Sequence, residues 1–214
     1  MAPSRISRAA ILERALAVAD SDGLDAVTVR RLARDLGVTP MALYWHVADK
    51  DALLDALADH LVARVDRALD PALDWPDQLR SLLRSLLAVL RAHPGAAGLV
   101  GIRNSTSEAS LELIETTLAV LARGGFSPAD AVTVARQILR ATAALVAAQP
   151  RAQGADPRTL ELLSCLPTDR FGHIIAAAAP LASCPDPDAA DELGVDVLVA
   201  GIATVAGRTG TLVE

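Results

Sequence analysis

Hydrophobic positions recur every three or four residues along almost the whole chain, a spacing that predicts amphipathic helices. The stretch 8–21 is typical, with Leu12, Leu16 and Ala19 on one stripe and Asp22-Gly23 as a stop signal. No period-two alternation is long enough for a strand, and no internal repeat is found. The pattern therefore predicts an all-α fold.

Capping residues divide the first 50 residues into short helices. Thr28 is a good N-cap, and Gly37 can end that helix in the left-handed conformation. Thr39 caps the next helix, and Pro40 takes its first position, where the missing N–H costs nothing. Asp49 caps a fourth helix, so we expect three short helices with tight loops before residue 50.

Longer, more apolar helices follow. We expect the fourth helix to end at Asp70-Pro71, where proline cannot continue it. Later patterns predict helices over 74–93, 106–123, 127–149 and 186–207, a short apolar piece at 96–102, and one or two short helices within 158–179. This change in helix length predicts two domains, residues 1–50 and 51–214.

The second and third helices, joined by "GVT", form a helix-turn-helix pattern. Gly37 supplies the turn, and Leu32, Leu36 and Val38 supply apolar contacts between the helices. In such a module the second helix enters the major groove of DNA. An ordinary helical hairpin gives the same pattern and stays open as the alternative.

Charge is distributed in a way that fits DNA contact at the N-terminus. The net charge of −6 argues against a general nucleic-acid binder. Residues 1–50, however, carry 7 Arg and Lys against 6 Asp and Glu, whereas the rest carries 13 against 20. Phosphate contacts are therefore expected in the first 50 residues.

Residues 23–57 resemble the tetracycline-repressor family of regulators. The family framework is matched at Thr28, Leu32-Ala33, Gly37-Val38, Leu43-Tyr44-Trp45-His46-Val47, Lys50 and Leu53. The "LYWHV" box is most similar to the branch of the tetracycline repressors themselves, and "HPGAAGLVGIR" and "LAVLARGGFSPADA" extend the likeness weakly. The resemblance implies an N-terminal three-helix DNA-binding domain and a C-terminal helical domain that binds a ligand and dimerises.

Several side chains of this region are expected to contact DNA. Tyr44 and His46, late in the recognition helix, can reach phosphate oxygens. Lys50 lies in the first turn of the fourth helix, where backbone N–H groups and the helix dipole also attract phosphate. The family likeness places Thr28 and Arg30 at the groove edge, where Arg30 could bind guanine through two hydrogen bonds.

The resemblance also marks the positions that read bases. They fall on Thr39, Pro40, Met41 and Ala42. The last three have no polar side-chain group and can make only apolar contacts, for example with a thymine methyl. The operator should therefore differ from that of the tetracycline repressors.

Other side chains of the N-terminal region are open to more than one interpretation. Trp45 is expected to pack inward, because a bulky ring between two contact residues suits the core face. Arg5 and Arg8 are expected either to touch the DNA backbone or minor groove or to be solvated surface charges.

The C-terminal half should bind an apolar ligand. In the tetracycline branch a drug–magnesium chelate is held by His, Asn and Glu groups, and the matching positions here are Asp66, Leu82 and Leu99, with only Arg103 retained. We therefore expect no metal, no cofactor and no magnesium chelate. The candidate lining residues are Leu82, Leu86, Leu99, Val100, Ile102, Arg103 and Leu113. Alternatively, the apolar residues are core and Arg103 forms a surface ion pair.

Two late helices, 132–148 and 189–206, are expected to form the homodimer interface. Their apolar and small residues allow close helix approach. They are Val132, Ala135, Leu139, Thr142, Ala143 and Val146 in the first helix, and Leu193, Val197, Ala200, Gly201 and Thr204 in the second. The alternative is that these residues belong to the core of a single chain.

The composition and the charged residues that interrupt apolar runs indicate where the protein is located and whether it spans a membrane. No run reaches the ~18 apolar residues of a membrane span, and Glu13 and Arg14 interrupt any signal-like segment. We therefore expect a cytoplasmic protein that does not bind membranes. Cys165 and Cys184 match no metal spacing and are expected to be reduced, with a disulfide left open.

The predicted function is a dimeric transcriptional repressor that a small-molecule effector releases from a pseudo-palindromic double-stranded DNA operator. An activator of the same family is equally compatible with the module. A helical small-molecule-binding protein or enzyme is a different class. Against an enzyme, the sequence shows no nucleophile–base pair and no metal-ligand spacing, so we expect none.

Overall fold

Helices account for the regular structure of the computed structural model, which describes residues 6–102, 107–147, 156–183 and 186–209. Within these ranges there is no strand, and the all-α prediction is confirmed. The helices are α1 (Arg8–Asp22), α2 (Val29–Asp35), α3 (Pro40–Tyr44), α4 (Lys50–Val62), α5 (Trp75–Ala92), α6 (Ala97–Ile102), α7 (Glu108–Arg123), α8 (Pro128–Ala147), α9 (Pro157–Ser164), α10 (Thr168–Ala176), α11 (Ala178–Ala182) and α12 (Pro187–Thr209). In this part of the chain, none is long and apolar enough to cross a membrane.

The predicted caps start the N-terminal helices. The hydroxyl of Thr28 accepts the N–H of Arg31 at 3.2 Å, and that of Thr39 accepts the N–H of Ala42 at 3.4 Å. The carboxylate of Asp49 accepts the N–H of Ala52 at 2.8 Å. Each cap satisfies a backbone donor that has no partner inside its own helix, which is why these three predictions are confirmed.

Gly37 shapes the turn between α2 and α3. Its φ of 67° is left-handed, a conformation that costs glycine nothing. Two hydrogen bonds close the turn, from Gly37 N–H to the Arg34 carbonyl at 3.3 Å and from Val38 N–H to the Ala33 carbonyl at 3.0 Å. This pair of bonds is the Schellman motif, and it aims the chain directly into α3.

The predicted end of α4 at Asp70 is wrong, because the helix ends at Val62. Beyond it, the N–H of Asp66 donates to the Ser85 hydroxyl of α5 at 2.7 Å, and the Asp66 carboxylate accepts the N–H of Ala68 at 2.9 Å. Side-chain partners therefore replace the helical ones, so the chain turns before it reaches Pro71. In the later segment, three helices form where one or two were expected, with a kink at Phe171.

One apolar core runs through α1–α8 and α12 and is built mainly from leucine, valine and alanine. Helix α4 lies near its centre and packs against α1, α5, α6 and α7. Leu53, Leu57 and Leu61 of α4 are fully buried, and each contributes about 1.5–3 kcal/mol by leaving water. Helix α4 therefore belongs to both halves of the molecule.

Ion pairs fasten α12 to α5. Arg80 pairs with Asp196 at 3.0 Å, Arg84 with Glu192 at 2.5 Å, and Arg91 with Asp188 at 2.7 Å. Exposed pairs of this kind each contribute about 0–1 kcal/mol. These pairs therefore fix the register of α12 on α5 and add little to the stability of the fold. The buried contact area between the helices comes from Val195 and Val199.

Helices α9–α11 form an excursion that packs mainly on itself. The N–H of Asp156 donates to the Ala182 carbonyl at 2.8 Å and closes its base. No residue of 156–183 belongs to the main apolar core. Leu162 and Leu181 are exposed apolar side chains on this excursion. Its apolar surface is thus left uncovered in a single chain.

A carboxylate between two arginines ties α1 to the helix-turn-helix. The Asp35 carboxylate accepts from Arg14 at 2.7 Å and from Arg31 at 2.9 Å, and Arg31 also reaches Asp22 at 3.0 Å. The hydrogen bonds from Arg14 and Arg31 lower the pKa of Asp35 to about 2. Because these bonds favour the charged form, they stabilise the folded state when Asp35 is ionised.

Asp35→Asn should lower the free energy of unfolding at pH 7, and this deficit should shrink in acid. A pKa lowered by folding stabilises the protein above the unfolded value near 3.8, and this contribution is lost as the pH falls towards about 2. Urea unfolding of both proteins between pH 7 and pH 2.5 measures the difference. Asp25→Asn is the matched control and should show no such convergence. A deficit that stays constant with pH would contradict the role of the Asp35 charge.

Candidate nucleic-acid interface and ligand cavity

Helix α3 packs against the core on one face and is exposed to solvent on the opposite face. Leu43 and Val47 are buried, four residues apart, and they anchor the segment to the core. The backbone continues helical spacing past Tyr44, with the Val47 N–H donating to the Leu43 carbonyl at 3.0 Å. Met41 is 68% exposed and Tyr44 is half exposed. The segment therefore presents side chains outward on a rigid base.

The predicted DNA contacts all reach the surface of α2, α3 and the start of α4. Those classed as exposed are Thr28, Arg30, Thr39, Pro40, Met41, Tyr44 and Lys50, and those half-buried are Ala42 and His46. Lys50 is the first residue of α4 and lies at the positive end of its helix dipole. Arg8 is exposed as well, whereas Arg5 lies outside the described residues.

The inward packing expected of Trp45 is wrong, because its side chain is 86% exposed. At 3.6 residues per turn, position 45 lies about 200° around the helix from position 43. Since Leu43 and Val47 already face the core, Trp45 must face away from it. A large apolar ring left in water beside Tyr44 indicates a contact surface.

A polar network joins the helix-turn-helix domain to the rest of the chain. His60 of α4 and Arg64, which follows the end of α4, both contact the Glu13 carboxylate of α1, His60 at 2.9 Å. Hydrogen bonds from His60 and Arg64 lower the pKa of Glu13. Arg64 also contacts His93 at 2.7 Å, and His93 contacts Asp20 at 2.8 Å. These five side chains connect α1, α4 and the turn before α6.

A cavity of about 230 Å³ lies among α4, α6, α7 and α8. Its wall is almost entirely apolar, with Ser110 and Arg136 as the polar exceptions. The lining residues are Ala58, Val62, Val100, Ser110, Leu113, Ile114, Leu118, Val132, Ala135, Arg136 and Leu139. Small-molecule sites are typically concave, apolar and supplied with a few polar groups, as this one is.

The predicted pocket residues are only partly brought together. Val100 and Leu113 line the cavity, whereas Leu82 and Leu86 line an adjoining space of about 20 Å³ between α5, α7 and α8. Leu99 is buried but lines neither space, because it is turned about 100° from Val100 on α6. Arg103 and the side chain of Ile102 lie outside the described residues.

Most of the residues of α7 and α8 that line the cavity were not among the predicted pocket residues. Val132, Ala135, Arg136 and Leu139 follow one another at helical spacing and share the cavity face of α8. Val132, Ala135 and Leu139 had been expected at the dimer interface. An arginine on an otherwise apolar stripe was the available signal.

Metal-ligating groups do not gather in the described part of the chain, where no cluster of three or more His, Cys, Asp or Glu residues occurs. Cys165 is a free, exposed thiol at the C-cap of α9. Cys184, the other cysteine expected to be reduced, lies outside the described residues.

Helix α12 leaves one apolar face uncovered. Leu193 is 65% exposed and Val197 is 62% exposed, and Ala200, Gly201 and Thr204 are exposed too. The α8 residues expected beside them are mostly internal: Ala135, Thr142, Ala143 and Val146 are all buried in this chain's own core. They are buried because α8 packs against α6, α7 and α5.

These features define an all-helical protein with an N-terminal helix-turn-helix and a cavity in its C-terminal half. Residues 11–57 match the model of bacterial regulatory proteins of the tetR family, and residues 69–206 match the tetracyclin repressor-like C-terminal domain. The chain belongs to the TetR family of transcriptional regulators.

Its relatives include tetracycline repressor proteins. The class A tetracycline repressor of transposon 1721 from Escherichia coli is 32% identical over 90% of this chain and 88% of that protein. The class D repressor from Escherichia coli is 31% identical, but the match spans 59% of this chain and 59% of that repressor.

Solved structures show the same architecture. Apo ActR from Streptomyces coelicolor is 29% identical with a TM-score of 0.83, covering 97% of this chain and all of that one. ActR in complex with actinorhodin has a TM-score of 0.78 at 28% identity, over 94% of this chain and 99% of that one.

Proposed function

We propose that this chain is a dimeric transcriptional repressor that a small-molecule effector releases from its operator. One observation carries the proposal: the exposed face of α3, with Met41, Tyr44 and Trp45, next to Lys50 at the start of α4. The ligand-bound structures of ActR support effector binding. A transcriptional activator of the same family would use the same surface, and a reporter gene placed behind the operator distinguishes the two.

The side chains of Tyr44, His46 and Lys50 are proposed to contact phosphate. The Tyr44 hydroxyl and a His46 ring nitrogen can each donate to a phosphate oxygen, and the Lys50 ammonium adds a charge at a helix N-terminus. Trp45 joins this set, since its ring lies beside Tyr44 and can pack on deoxyribose. These contacts place α3 in the groove without specifying sequence.

Base contacts fall to the start of α2 and to α3. Thr28 caps α2, and Arg30 follows it with an exposed guanidinium suited to guanine. Thr39 and the exposed Met41 are the polar and apolar readers at the start of α3. The operator is thus expected to combine a guanine contact with a thymine methyl contact in each half-site.

Helix α4 offers a direct route from effector to DNA. Ala58 and Val62 of α4 line the cavity, and Lys50 begins the same helix. At 1.5 Å per residue, Lys50 lies about 12 Å along the helix from Ala58. An effector that fits one position of α4 better than another shifts the population of recognition-helix geometries. The proposed boundary between residues 50 and 51 falls in the first turn of this shared helix.

A second copy of the chain would cover the apolar face of α12. Leu193 and Val197 are large apolar side chains left in water on this face. Dimerisation would present two recognition helices about 34 Å apart, matching successive major grooves of a pseudo-palindrome. Gel filtration with light scattering tests the assembly.

The intrinsic fluorescence of Trp45 tests DNA binding directly. In Trp75→Phe, Trp45 is the remaining tryptophan, and we expect its emission to fall when DNA from the gene's own upstream region is added. In Trp45→Phe, the remaining Trp75 is half-buried against Phe126, with ring centroids 6.2 Å apart, so its emission should not change.

The contrary result is equally clear. If Trp45 emission is unchanged and no retarded complex forms at about 50 mM salt, where phosphate contacts are strong, the DNA-binding proposal fails. A scrambled fragment of equal length separates specific from general binding.

A further inference from the structure

We infer that the effector is an apolar molecule with one anionic group, and that Arg136 binds that group at the mouth of the cavity. The inference deepens the proposed function and rests on it, since it takes the cavity among α4, α6, α7 and α8 to be the effector site. It concerns the chemical class of the ligand, which the cavity wall specifies.

Five arginines of the C-terminal half each pair with a carboxylate, namely Arg64, Arg67, Arg80, Arg84 and Arg91. Among the described residues, Arg136 and Arg140 form no such pair, and of these two Arg136 lines the cavity. Within the described residues, Arg136 has neither an ion pair nor a hydrogen bond, although its side chain lines the cavity. The charge is therefore available to a ligand.

The rest of the wall makes an anion the fitting partner. No carboxylate lines the described cavity, so nothing there competes for the guanidinium. The surrounding residues, among them Leu113, Val132 and Leu139, are apolar, and Arg136 itself is exposed to solvent. A carboxylate or sulfonate can accept two parallel hydrogen bonds from guanidinium, which a neutral hydroxyl cannot match.

Ser110 adds a weaker second contact. Its hydroxyl donates to the Asp59 carboxylate at 3.1 Å, which leaves the Ser110 oxygen able to accept. A donor group on the ligand would fit there. Asp59 also accepts from Ser107 at 2.8 Å, and it does not itself line the cavity.

The size of the cavity limits the apolar body. Its volume of about 230 Å³ is below the roughly 300–1,000 Å³ of typical drug-sized sites. A fused two-ring system is a suitable probe. We therefore use 1-naphthoate as the anionic probe and 1-naphthalenemethanol as a neutral probe of similar shape.

Calorimetric titration of the full-length protein with both probes tests the inference. We expect 1-naphthoate to bind at least about tenfold more tightly than 1-naphthalenemethanol, as a charge-assisted bond adds affinity. Arg136→Gln should remove this preference by weakening 1-naphthoate alone. Arg136→Lys should keep part of it, and Arg140→Gln, on the same helix outside the cavity wall, should keep all of it.

Three results would overturn the ligand class: equal affinity for both probes, a preference that survives Arg136→Gln, or no binding of either probe. Retardation of upstream DNA by the same preparations separates this from the proposed function. DNA binding without an Arg136-dependent preference overturns the ligand class alone. An Arg136-dependent preference without DNA binding overturns the regulator and leaves the anion site standing.

Discussion

Replacing Tyr44 and Lys50 together with alanine is expected to weaken operator binding by at least about a hundredfold. Each removes a charge-assisted or polar bond to phosphate, worth about 1.5–3 kcal/mol when charged, and a dimer loses both from each half-site. Because Leu43 and Val47 still anchor α3 and Asp49 still caps α4, the fold should be retained. Fluorescence anisotropy of a labelled operator measures the loss.

The salt dependence identifies the kind of contact that was removed. Loss of Lys50 should reduce the slope of log affinity against log salt by about one for each half-site. Arg123→Ala removes one exposed positive charge at the end of α7, away from α3, and should leave affinity and slope unchanged. If the double variant binds like the parent protein, the assignment of the recognition surface is wrong.

Replacing Gly95 with alanine is expected to destabilise the protein by about 1–3 kcal/mol, the usual cost of overpacking. A Cβ at this position would overlap the carbonyl oxygen of Ala19 and lie 2.7 Å from the backbone nitrogen of Asp20. The neighbours are backbone atoms and cannot rotate away. Gly95 also donates its N–H to the Asp20 carboxylate at 3.0 Å, so α1 and the turn before α6 would have to separate.

Gly98→Ala is the matched control, because no atom lies within 4 Å of a Cβ there. Gly98 lies within α6, so alanine should be neutral or stabilising by up to about 1 kcal/mol. Urea unfolding of the two variants against the parent measures both effects. Equal stability of the two variants would show that the contact between α1 and the turn before α6 tolerates the extra atom.

Local chemistry explains which parts of the fold could be predicted. Thr28, Thr39 and Asp49 each act on a backbone N–H three residues away, and Gly37 on carbonyls of the preceding turn. Such interactions depend on neighbours in sequence and can be predicted without a tertiary structure. The end of α4 could not be predicted in this way, because it depends on Ser85 of α5, nineteen residues beyond Asp66.

The candidate site divides in the same way. The framework from Thr28 to Leu53 identified the recognition helix, yet it did not show which way Trp45 faces. That orientation follows from the burial of Leu43 and Val47 against other helices. A sequence contains the candidates for burial, and packing decides which of them are used.

By itself, then, the sequence determined that this is an all-helical protein with a helix-turn-helix at its N-terminus, and it supplied the residues proposed to contact phosphate. Only the tertiary structure decided that Trp45 stands in water, that Leu99 is core, and that Arg136 lines a cavity. Caps and turns act within a few residues of each other. A cavity instead exists where side chains from α4, α6, α7 and α8 fail to fill the space between them, which no local pattern specifies.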